Sequence, residues 1–457
     1  MTQATAIDSG FGDVSTTTQA NTGWANQLAK EPLVILGGVR TPFVKSYSTL
    51  SGVTASQLGV HAVTALLSQL KIEKTAVDEV IFGNVSAPAD SANIARVISL
   101  LAGVPFDRIA HTVNRNCSSG MESLVGASQA MRDRGSKMIV AGGTESMSNI
   151  PLLWNRSATR WFLEMGKMKS FLERANHYLK FRPSFLDPVV AIKLGLTDPS
   201  CGLNMGETAE LVAQDFHIGR EEQDEFALQS HERALAAQAR GFFAGEIAPV
   251  SAEMNHGKAV NEDVGPRKGQ SLASLAKLKP YFRPQDGTVT VGNSCPITDG
   301  AVAMAVTSAA HAKAYGVEPL GYIKGYAIAG CDPSRMGLGP VYAIEKLLRQ
   351  TGMKLEDFEL FEINEAFAAQ VLGCLAAMNS AEFCKSVFGR SQPIGVIPQE
   401  KLNVNGGAIA LGHPVGATGG RIVLTLLRAL KEQGKKRGIA SLCVGGGQGY
   451  AVWVEVA

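Results

Sequence analysis

Three segments of the chain place a reactive side chain beside glycines or other small residues. The first, residues 113–121, contains Cys117 between a short apolar run and a segment whose apolar residues recur at helical spacing. A thiol at the start of a helix faces backbone N–H groups, which favour the thiolate that attacks carbonyl carbon. Cys117 is therefore a candidate nucleophile, although a free cysteine is more often a small buried apolar residue.

The other two segments supply what a cysteine nucleophile needs. His413 lies in the glycine-rich stretch 412–420, which we expect to form a loop before an apolar helix over 422–430. Its imidazole could accept the thiol proton. Cys443 ends a predicted strand and begins the run Cys443-Val444-Gly445-Gly446-Gly447-Gln448-Gly449. Glycines let substrate approach the backbone and leave N–H groups free to bind an oxyanion, so Cys443 borders a candidate oxyanion hole.

At four motifs, which occur in that family's order, the chain resembles the thiolases. The motifs are Asn116-Cys117-Ser118-Ser119-Gly120, Asn364-Glu365-Ala366-Phe367, Asn405-Gly406-Gly407-Ala408 with Gly412-His413-Pro414, and the run 443–449. The resemblance extends over nearly everything after residue 32. It is greatest to the β-subunit of the trifunctional complex of fatty-acid β-oxidation.

This resemblance implies a role for each site residue. Cys117 would carry the acyl group, His413 would accept its proton, and Cys443 would protonate the acetyl-CoA carbanion. The backbone N–H groups of Cys117 and Gly445 would bind one oxyanion. His413, with a water molecule held by Asn364, would bind the other.

Coenzyme A needs cations for its phosphates and an apolar slot for its pantetheine. The resemblance assigns contacts with CoA to Arg267, Ser274, Met205, Cys295 and Phe367. The chain departs from the family twice, since Cys295 replaces a hydroxyl residue of many members and Asn204 stands where some have histidine. We expect CoA as a substrate, no permanently bound cofactor and no metal site. The seven cysteines contain no Cys-x-x-Cys pair.

Short apolar strands alternate with helical segments along the chain, and this order recurs after residue 319. The pattern predicts an α/β layered fold with an internal duplication. We expect a thiolase-like fold of two similar α/β halves with buried mixed sheets, plus an inserted loop domain. The predicted division is a flexible arm at 1–30, an N-terminal half at 31–147 and 296–318, an inserted loop domain at 148–295 and a C-terminal half at 319–457.

Residues 151–188 differ in composition from the rest, being aromatic, methionine-rich and basic. One face of a predicted helix collects the apolar residues Trp154, Ala158, Trp161, Phe162, Met165, Met168 and Leu172. A basic amphipathic helix suits peripheral membrane contact or a partner protein, and such a face also suits packing on the body of the protein. The sequence leaves these alternatives open.

Bulk properties limit the partners. A net charge of +2 gives no general electrostatic basis for binding nucleic acid. The odd number of cysteines favours a reducing compartment, and the first thirty residues resemble neither a secretory signal nor a transit peptide, so we expect a cytoplasmic protein. The resemblance implies a homodimer that binds acyl-CoA and CoA. It leaves open an α-subunit with hydratase and dehydrogenase activities.

The predicted function is that of a 3-ketoacyl-CoA thiolase in fatty-acid β-oxidation, which releases acetyl-CoA and a shortened acyl-CoA through a Cys117 acyl-enzyme. A short-chain acetyl-CoA acetyltransferase would use the same groups for Claisen condensation. A β-ketoacyl synthase would share the fold but lack a counterpart of Cys443. A noncatalytic lipid-binding or scaffolding subunit would explain the insertion but not Cys117, His413 and Cys443 together, and a cysteine redox pair would not explain His413 or Asn364.

Overall fold

The computed structural model describes Leu28 and residues 30–457, so the predicted arm at 1–30 lies almost entirely outside the described residues. The strands are β1 Leu33–Arg40, β2 Val44–Lys45, β3 Glu79–Gly83, β4 Ile109–Val113, β5 Met138–Ser146, β6 Leu152–Trp154, β7 Pro188–Val190, β8 Thr298–Ser308, β9 Gly321–Gly330, β10 Leu360–Ile363, β11 Arg437–Val444 and β12 Gln448–Glu455. The α-helices are Ala55–Leu70, Ile94–Leu101, Ser119–Arg134, Arg156–Lys167, Phe171–Tyr178, Ala191–Gly195, Met205–Asp215, Arg220–Ala239, Leu272–Leu275, Ala309–Ala312, Gly339–Thr351, Ala368–Asn379, Ala381–Phe388, Ala408–Leu411 and Val415–Glu432.

One large mixed sheet runs through the molecule in the order β10-β11-β12-β9-β1-β8-β5-β3-β4. Outward from the antiparallel β1–β9 pair, the sequence β1-β8-β5-β3 on one side corresponds to β9-β12-β11-β10 on the other. Beside β10, Leu402 forms a parallel bridge with Phe361 in the position that β4 takes beside β3. The strand order therefore supports the predicted duplication, and the mixed sheet confirms the α/β class. The domain boundaries stay a prediction.

The sheet is buried on both faces because alternate strand residues enter different apolar cores. In β1, Ile35 faces a core shared with the helices Ser119–Arg134 and Val415–Glu432, whereas Val34 faces a core shared with the helix Ala55–Leu70. All eight residues of β1 and all nine of β5 are buried. Such continuous apolar strands are typical of sheets covered by helices on both sides.

The glycine-rich stretch after His413 is helical, and the predicted loop there is wrong. The helix begins at Val415 rather than at 422. Glycine is a poor helix former, but tertiary packing overrides that preference here. A Cβ built on Gly419 would lie 2.5 Å from the backbone nitrogen of Met121, in the neighbouring helix Ser119–Arg134. The glycines thus allow two helices, one from each half, to pack backbone against backbone.

The insertion also differs from its prediction, because residues 151–188 do not form one amphipathic helix. Strands β6 and β7 make a separate antiparallel pair, and the chain between them forms two helices, Arg156–Lys167 and Phe171–Tyr178. The first helix stops at Met168, whose backbone is extended, and Ser170 caps the second. No helix in the described part of the chain is long and apolar enough to cross a membrane.

The helix crossing predicts a position-specific effect of adding one methyl group. Gly419→Ala should lower the thermal midpoint by an amount equivalent to about 1–3 kcal/mol, because the new Cβ overlaps fixed backbone atoms. The matched control is Gly126→Ala in the facing helix, where the nearest atom to the new Cβ is 3.9 Å away. That variant should be neutral or gain up to about 1 kcal/mol of helix propensity. Equal midpoints in calorimetry for both variants would contradict the proposed packing constraint.

Candidate active site

Cys117 lies in the turn between β4 and the helix Ser119–Arg134. The preceding residue, Asn116, has a left-handed backbone with φ of 45°. Ser119 stabilises the turn, since its hydroxyl donates to Asn116 O at 2.7 Å and accepts from Arg115 N–H at 2.9 Å. The result is a half-buried thiol held by short-range hydrogen bonds.

Cys443 and Gly445 reach the same place from the C-terminal half. Cys443 is buried near the end of β11, opposite Gly449 of β12. The chain then turns, and the backbone N–H groups of Gly445 and of Cys117 itself both face the Cys117 thiol. The Cys443 thiol is close enough to Cys117 for the two groups to interact electrostatically. The structure therefore brings Cys117, Cys443 and Gly445 together.

His413 is buried just before the helix Val415–Glu432. Its backbone N–H donates to Thr298 Oγ1 at 3.1 Å, and its ring Nδ1 is 2.6 Å from Thr418 Oγ1. On the other side of the ring, Nε2 is buried and has no hydrogen-bond partner among the described residues. Burial and the nearby Arg421 guanidinium lower the pKa of His413 to about 4, so the ring is neutral near pH 7. A neutral imidazole with an unoccupied nitrogen is suited to accept a proton.

Asn364 follows β10, where its backbone N–H donates to Ser441 O at 2.9 Å on the neighbouring strand β11. Both polar atoms of its side chain are buried without a hydrogen-bond partner in the part of the chain that the structure describes. Buried amides are normally satisfied, so this side chain is set up to bind something other than the protein.

Burial corrects one expectation about Cys117. Enclosure raises the pKa of its thiol, and the N–H groups of Gly445 and Cys117 offset this effect in part, while the nearby Glu145 carboxylate adds to it. The helix N-terminus was expected to favour the thiolate, but desolvation is the larger influence. The resting side chain is therefore a thiol, and attack on a carbonyl requires a base.

Glu145 is a site residue that sequence reasoning missed. It is fully buried and accepts hydrogen bonds from Asn84 Nδ2, Val85 N–H, Ser86 N–H and Gly416 N–H, at 2.9–3.0 Å. The carboxyl group thus connects the end of β5 to the first turn of the helix Val415–Glu432, which follows His413. The available signal was an acidic residue directly after the buried run Ala141-Gly142-Gly143-Thr144.

The predicted CoA-binding residues fall into two groups. Met205 and Phe367 share an apolar cluster with Cys443, and Cys295 interacts electrostatically with Cys117. Arg267 and Ser274 instead lie on an exposed segment, where Ser271 caps the short helix Leu272–Leu275 and the Ser274 hydroxyl accepts from Ser271 N–H at 3.1 Å. The structure places the first three near the thiols and the other two on the surface, and contact with CoA stays a prediction for all five.

Asn204, the second departure from the family pattern, caps the helix that Met205 begins. Its Oδ1 accepts from Gly206 N–H at 2.9 Å. Among the described residues, no cluster of three or more His, Cys, Asp or Glu side chains is arranged to hold a metal ion.

Two family models match the chain. The thiolase N-terminal domain matches residues 33–310, and the thiolase C-terminal domain matches residues 317–456. Together they extend over nearly all the described residues.

Individual relatives agree with the family models. A 3-ketoacyl-CoA thiolase of Shewanella sp. (strain W3-18-1) is 36% identical over 427 residues, which are 93% of this chain and 97% of the relative. The crystal structure of Bacillus anthracis acetyl-CoA acetyltransferase has a TM-score of 0.80 and 37% identity, with 93% of this chain and 99% of that one covered. Human mitochondrial 3-ketoacyl-CoA thiolase in complex with CoA has a TM-score of 0.80 and 36% identity, with 93% and 98% covered. These matches confirm the fold class predicted from the sequence.

The lowered pKa of His413 predicts a pH dependence of stability. The folded state resists protonation until about pH 4, whereas an unfolded histidine takes a proton near pH 6.5. The unfolded state therefore binds more protons between these values, and stability falls as the pH drops through this window, by about 2 kcal/mol at pH 5. His413→Asn should lose less thermal stability than the wild type between pH 7 and pH 5.

The matched control is His256→Asn, at an exposed position whose φ of 48° asparagine tolerates. This variant should keep the wild-type difference in thermal midpoint between the two pH values. An identical difference in His413→Asn would show that His413 does not resist protonation in the folded protein.

Proposed function

Because this chain belongs to the thiolase family of acyltransferases, we propose that it cleaves 3-ketoacyl-CoA with CoA, giving acetyl-CoA and a shortened acyl-CoA. The intermediate in this proposal is an acyl group on Cys117. The observation that supports it best is the Gly445 N–H aimed at the Cys117 thiol, with the Cys443 thiol beside them. That arrangement offers a nucleophile, an oxyanion donor and a second proton carrier in one place.

In the first half-reaction, His413 accepts the Cys117 proton and the sulfur attacks C3 of the substrate. The C3 oxyanion is bound by the N–H groups of Cys117 and Gly445. As the C2–C3 bond breaks, the electron pair goes to C2 of the departing acetyl-CoA. The resulting enolate is stabilised by His413, together with a water molecule held by Asn364. The unoccupied polar atoms of His413 and Asn364 support this assignment.

Cys443 completes both halves of the reaction. Burial and neighbouring cysteines raise the pKa of its thiol well above the ordinary value, so the group holds a proton that a carbanion can take. The thiolate left behind then accepts the proton of incoming CoA, whose sulfur attacks the acyl group on Cys117. Cys443 ends as a thiol, and His413 returns its proton to the Cys117 sulfur as the acyl group leaves for CoA, so the protons balance over the cycle.

We assign the pantetheine arm of CoA to the apolar cluster around Met205 and Phe367, next to Cys295. Arg267 and Ser274 are proposed for the nucleotide end, on the exposed segment that they share. The human mitochondrial relative solved with CoA supports this choice of ligand.

We propose a homodimer formed through the edge strand β4. This strand pairs with β3 on one side, and Ile109 at its start is 51% exposed. Phe106, in the preceding loop, is 85% exposed. An open edge beside large apolar side chains favours pairing with a second chain. The cytoplasmic location, the α-subunit and the place in β-oxidation stay predictions.

The insertion is proposed to contact an anionic membrane surface. It buries a small core of its own around Ala158, Trp161 and Phe185. Large apolar side chains remain outside that core, and the most exposed are Phe171, Leu179, Leu172, Leu152, Leu163 and Leu186. The alternative that the apolar residues pack on the protein body therefore fails for these six.

The charge of this segment favours lipid over a protein of like charge. Between residues 151 and 195 there are eight Lys and Arg residues and three Asp and Glu residues, whereas the whole chain has a net charge of only +2. Apolar side chains enter the acyl region of a bilayer while basic groups bind anionic headgroups. The segment carries both features on one small unit.

The proposed chemistry is tested by separating acylation from cleavage in two cysteine variants. Cys117→Ala should abolish thiolysis of acetoacetyl-CoA and of 3-ketohexadecanoyl-CoA without altering the circular dichroism spectrum. Cys443→Ala should still acquire a mass-detectable acyl group on Cys117 from acyl-CoA, but lose exchange of the acetyl-CoA methyl protons with deuterated water. Cys384→Ala is the control, since this buried thiol lies in another apolar core.

Turnover that survives in Cys117→Ala would remove the nucleophile assignment. Cleavage of the long substrate by the wild type would support a degradative enzyme. Activity with acetoacetyl-CoA alone would favour a short-chain acetyltransferase; the similar Bacillus anthracis protein is an acetyl-CoA acetyltransferase. Binding of acyl-CoA without turnover would favour a carrier or scaffold.

Membrane contact predicts a specific loss of vesicle binding. Each apolar side chain that enters the bilayer contributes about 1.5–3 kcal/mol. Replacing Phe171, Leu172 and Leu179 together by serine should weaken co-sedimentation with phosphatidylglycerol vesicles by at least about tenfold, while cleavage of acetoacetyl-CoA is unchanged. Val396→Ser, at an exposed apolar position outside the insertion, is the control.

Two further results test whether the contact needs anionic lipid and whether the insertion makes it. Vesicles of phosphatidylcholine alone should bind the wild type weakly, because the basic residues then have no anionic partner. Equal binding of the triple variant and the wild type to anionic vesicles would exclude the insertion as the contact. A parallel loss of acetoacetyl-CoA cleavage would favour a packing role instead.

A further inference from the structure

Asn116 connects the nucleophile turn to the glycine turn of the other half. Its Nδ2 donates to the carbonyl oxygen of Gly445 at 2.8 Å, between residues that are 329 positions apart. Arg115 makes a second connection, because its Nη1 donates to Gln448 Oε1 at 3.0 Å. Two adjacent side chains therefore join the turn that carries Cys117 to the turn that supplies the Gly445 N–H.

The backbone of Asn116 is fixed before its side chain reaches across. Its φ of 45° lies in the left-handed region, which asparagine tolerates better than most residues. Asn114 Oδ1 accepts its N–H at 3.0 Å, and Ser119 donates to its carbonyl oxygen through N–H at 3.0 Å and hydroxyl at 2.7 Å. With both backbone groups bonded, the amide has a defined position.

Gly445, in contrast, starts a stretch that needs an external restraint. It is followed by Gly446 and Gly447, whose φ values are 91° and 76°. Three successive glycines have more accessible backbone conformations than any other tripeptide. A Cβ built on Gly445 would lie 3.5 Å from Met205 Sδ and 3.7 Å from Asn116 Nδ2, so the two side chains flank this residue closely.

We propose that Asn116 is a positioning residue for the oxyanion donor: its amide holds Gly445 in the orientation that aims the Gly445 N–H at the reacting sulfur and at the oxygen of the acyl group attached to it. The inference rests on the proposed function, in which that N–H binds the C3 oxyanion. A donor of this kind has its effect only when its direction is set before the reaction, and losing one costs about 10²–10³-fold in rate. A donor that is misdirected for part of the time should cost less, about 10–100-fold.

The experiment compares substitutions that separate the side chain from the backbone. Asn116→Gly keeps the left-handed conformation and removes the amide. Asn116→Asp keeps size and conformation but puts a carboxylate oxygen against Gly445 O, where a donor is required. Lys71→Gly, at an exposed left-handed position that ends the helix Ala55–Leu70, is the control for adding a glycine.

The first readout is the single-turnover rate of Cys117 acylation by 3-ketoacyl-CoA. It should fall about 10–100-fold in Asn116→Gly and at least as far in Asn116→Asp, with little change in KM. The second readout is the pH midpoint of Cys117 alkylation by iodoacetamide. This midpoint should move upward in both variants, because the thiolate loses a hydrogen-bond donor. A purely structural role would lower the thermal midpoint without moving the pH midpoint.

Wild-type acylation rate and pH midpoint in either folded variant would overturn the inference. If Asn116→Gly is too unstable to measure, Asn116→Asp decides alone, since it does not increase backbone freedom. Turnover surviving in Cys117→Ala would instead refute the proposed function. If Cys117→Ala is inactive and Asn116→Gly acylates at the wild-type rate, only the role of Asn116 is refuted.

Discussion

The close contact between the helices Ser119–Arg134 and Val415–Glu432 determines the geometry of the site. Cys117 precedes the first helix and His413 precedes the second. A Cβ on Gly120 would lie 2.8 Å from the backbone nitrogen of Gly420, so glycine brings the two backbones together. The separation of the helix starts is therefore set by backbone atoms rather than by adaptable side chains. Reactive groups from two halves acquire the rigidity of a packed core.

Burial then determines the charge state of the groups so positioned. It raises the pKa values of Cys117 and Cys443 and lowers that of His413, so the resting site holds two thiols and a neutral imidazole. Glu145 contributes to this balance, because its carboxyl group accepts from Gly416 N–H in the first turn of the His413 helix. The N-terminus of a helix favours a negative charge nearby, and the Glu145 carboxyl group already occupies that position. A second anion at the same helix end is therefore stabilised less. In the proposed reaction, negative charge is stabilised where it develops, by N–H groups such as that of Gly445.

Motifs made Cys117, His413 and Cys443 recognisable as candidates, because each chemical group stands in a short run of characteristic residue types. The helical state of 415–421 was not predictable from local preference, since the glycines that disfavour a helix are required by a neighbour distant in sequence. The thiol state of Cys117 was missed for a similar reason. Local sequence indicates a helix N-terminus, whereas desolvation depends on everything packed around it. The contact of Asn116 with Gly445 likewise exists only after the halves assemble.

The insertion follows different constraints from the site. Its core of Ala158, Trp161 and Phe185 is separate from the apolar clusters that contain the large sheet. A unit this small has too high a ratio of surface to volume to cover all its apolar residues. As a result, Phe171 and Leu179 are each 85% exposed, whereas most large apolar residues of the main sheet are buried. Exposure of that extent is costly in water unless another surface covers it. The exposed apolar residues of the insertion therefore support the proposed membrane contact rather than a role in the reaction.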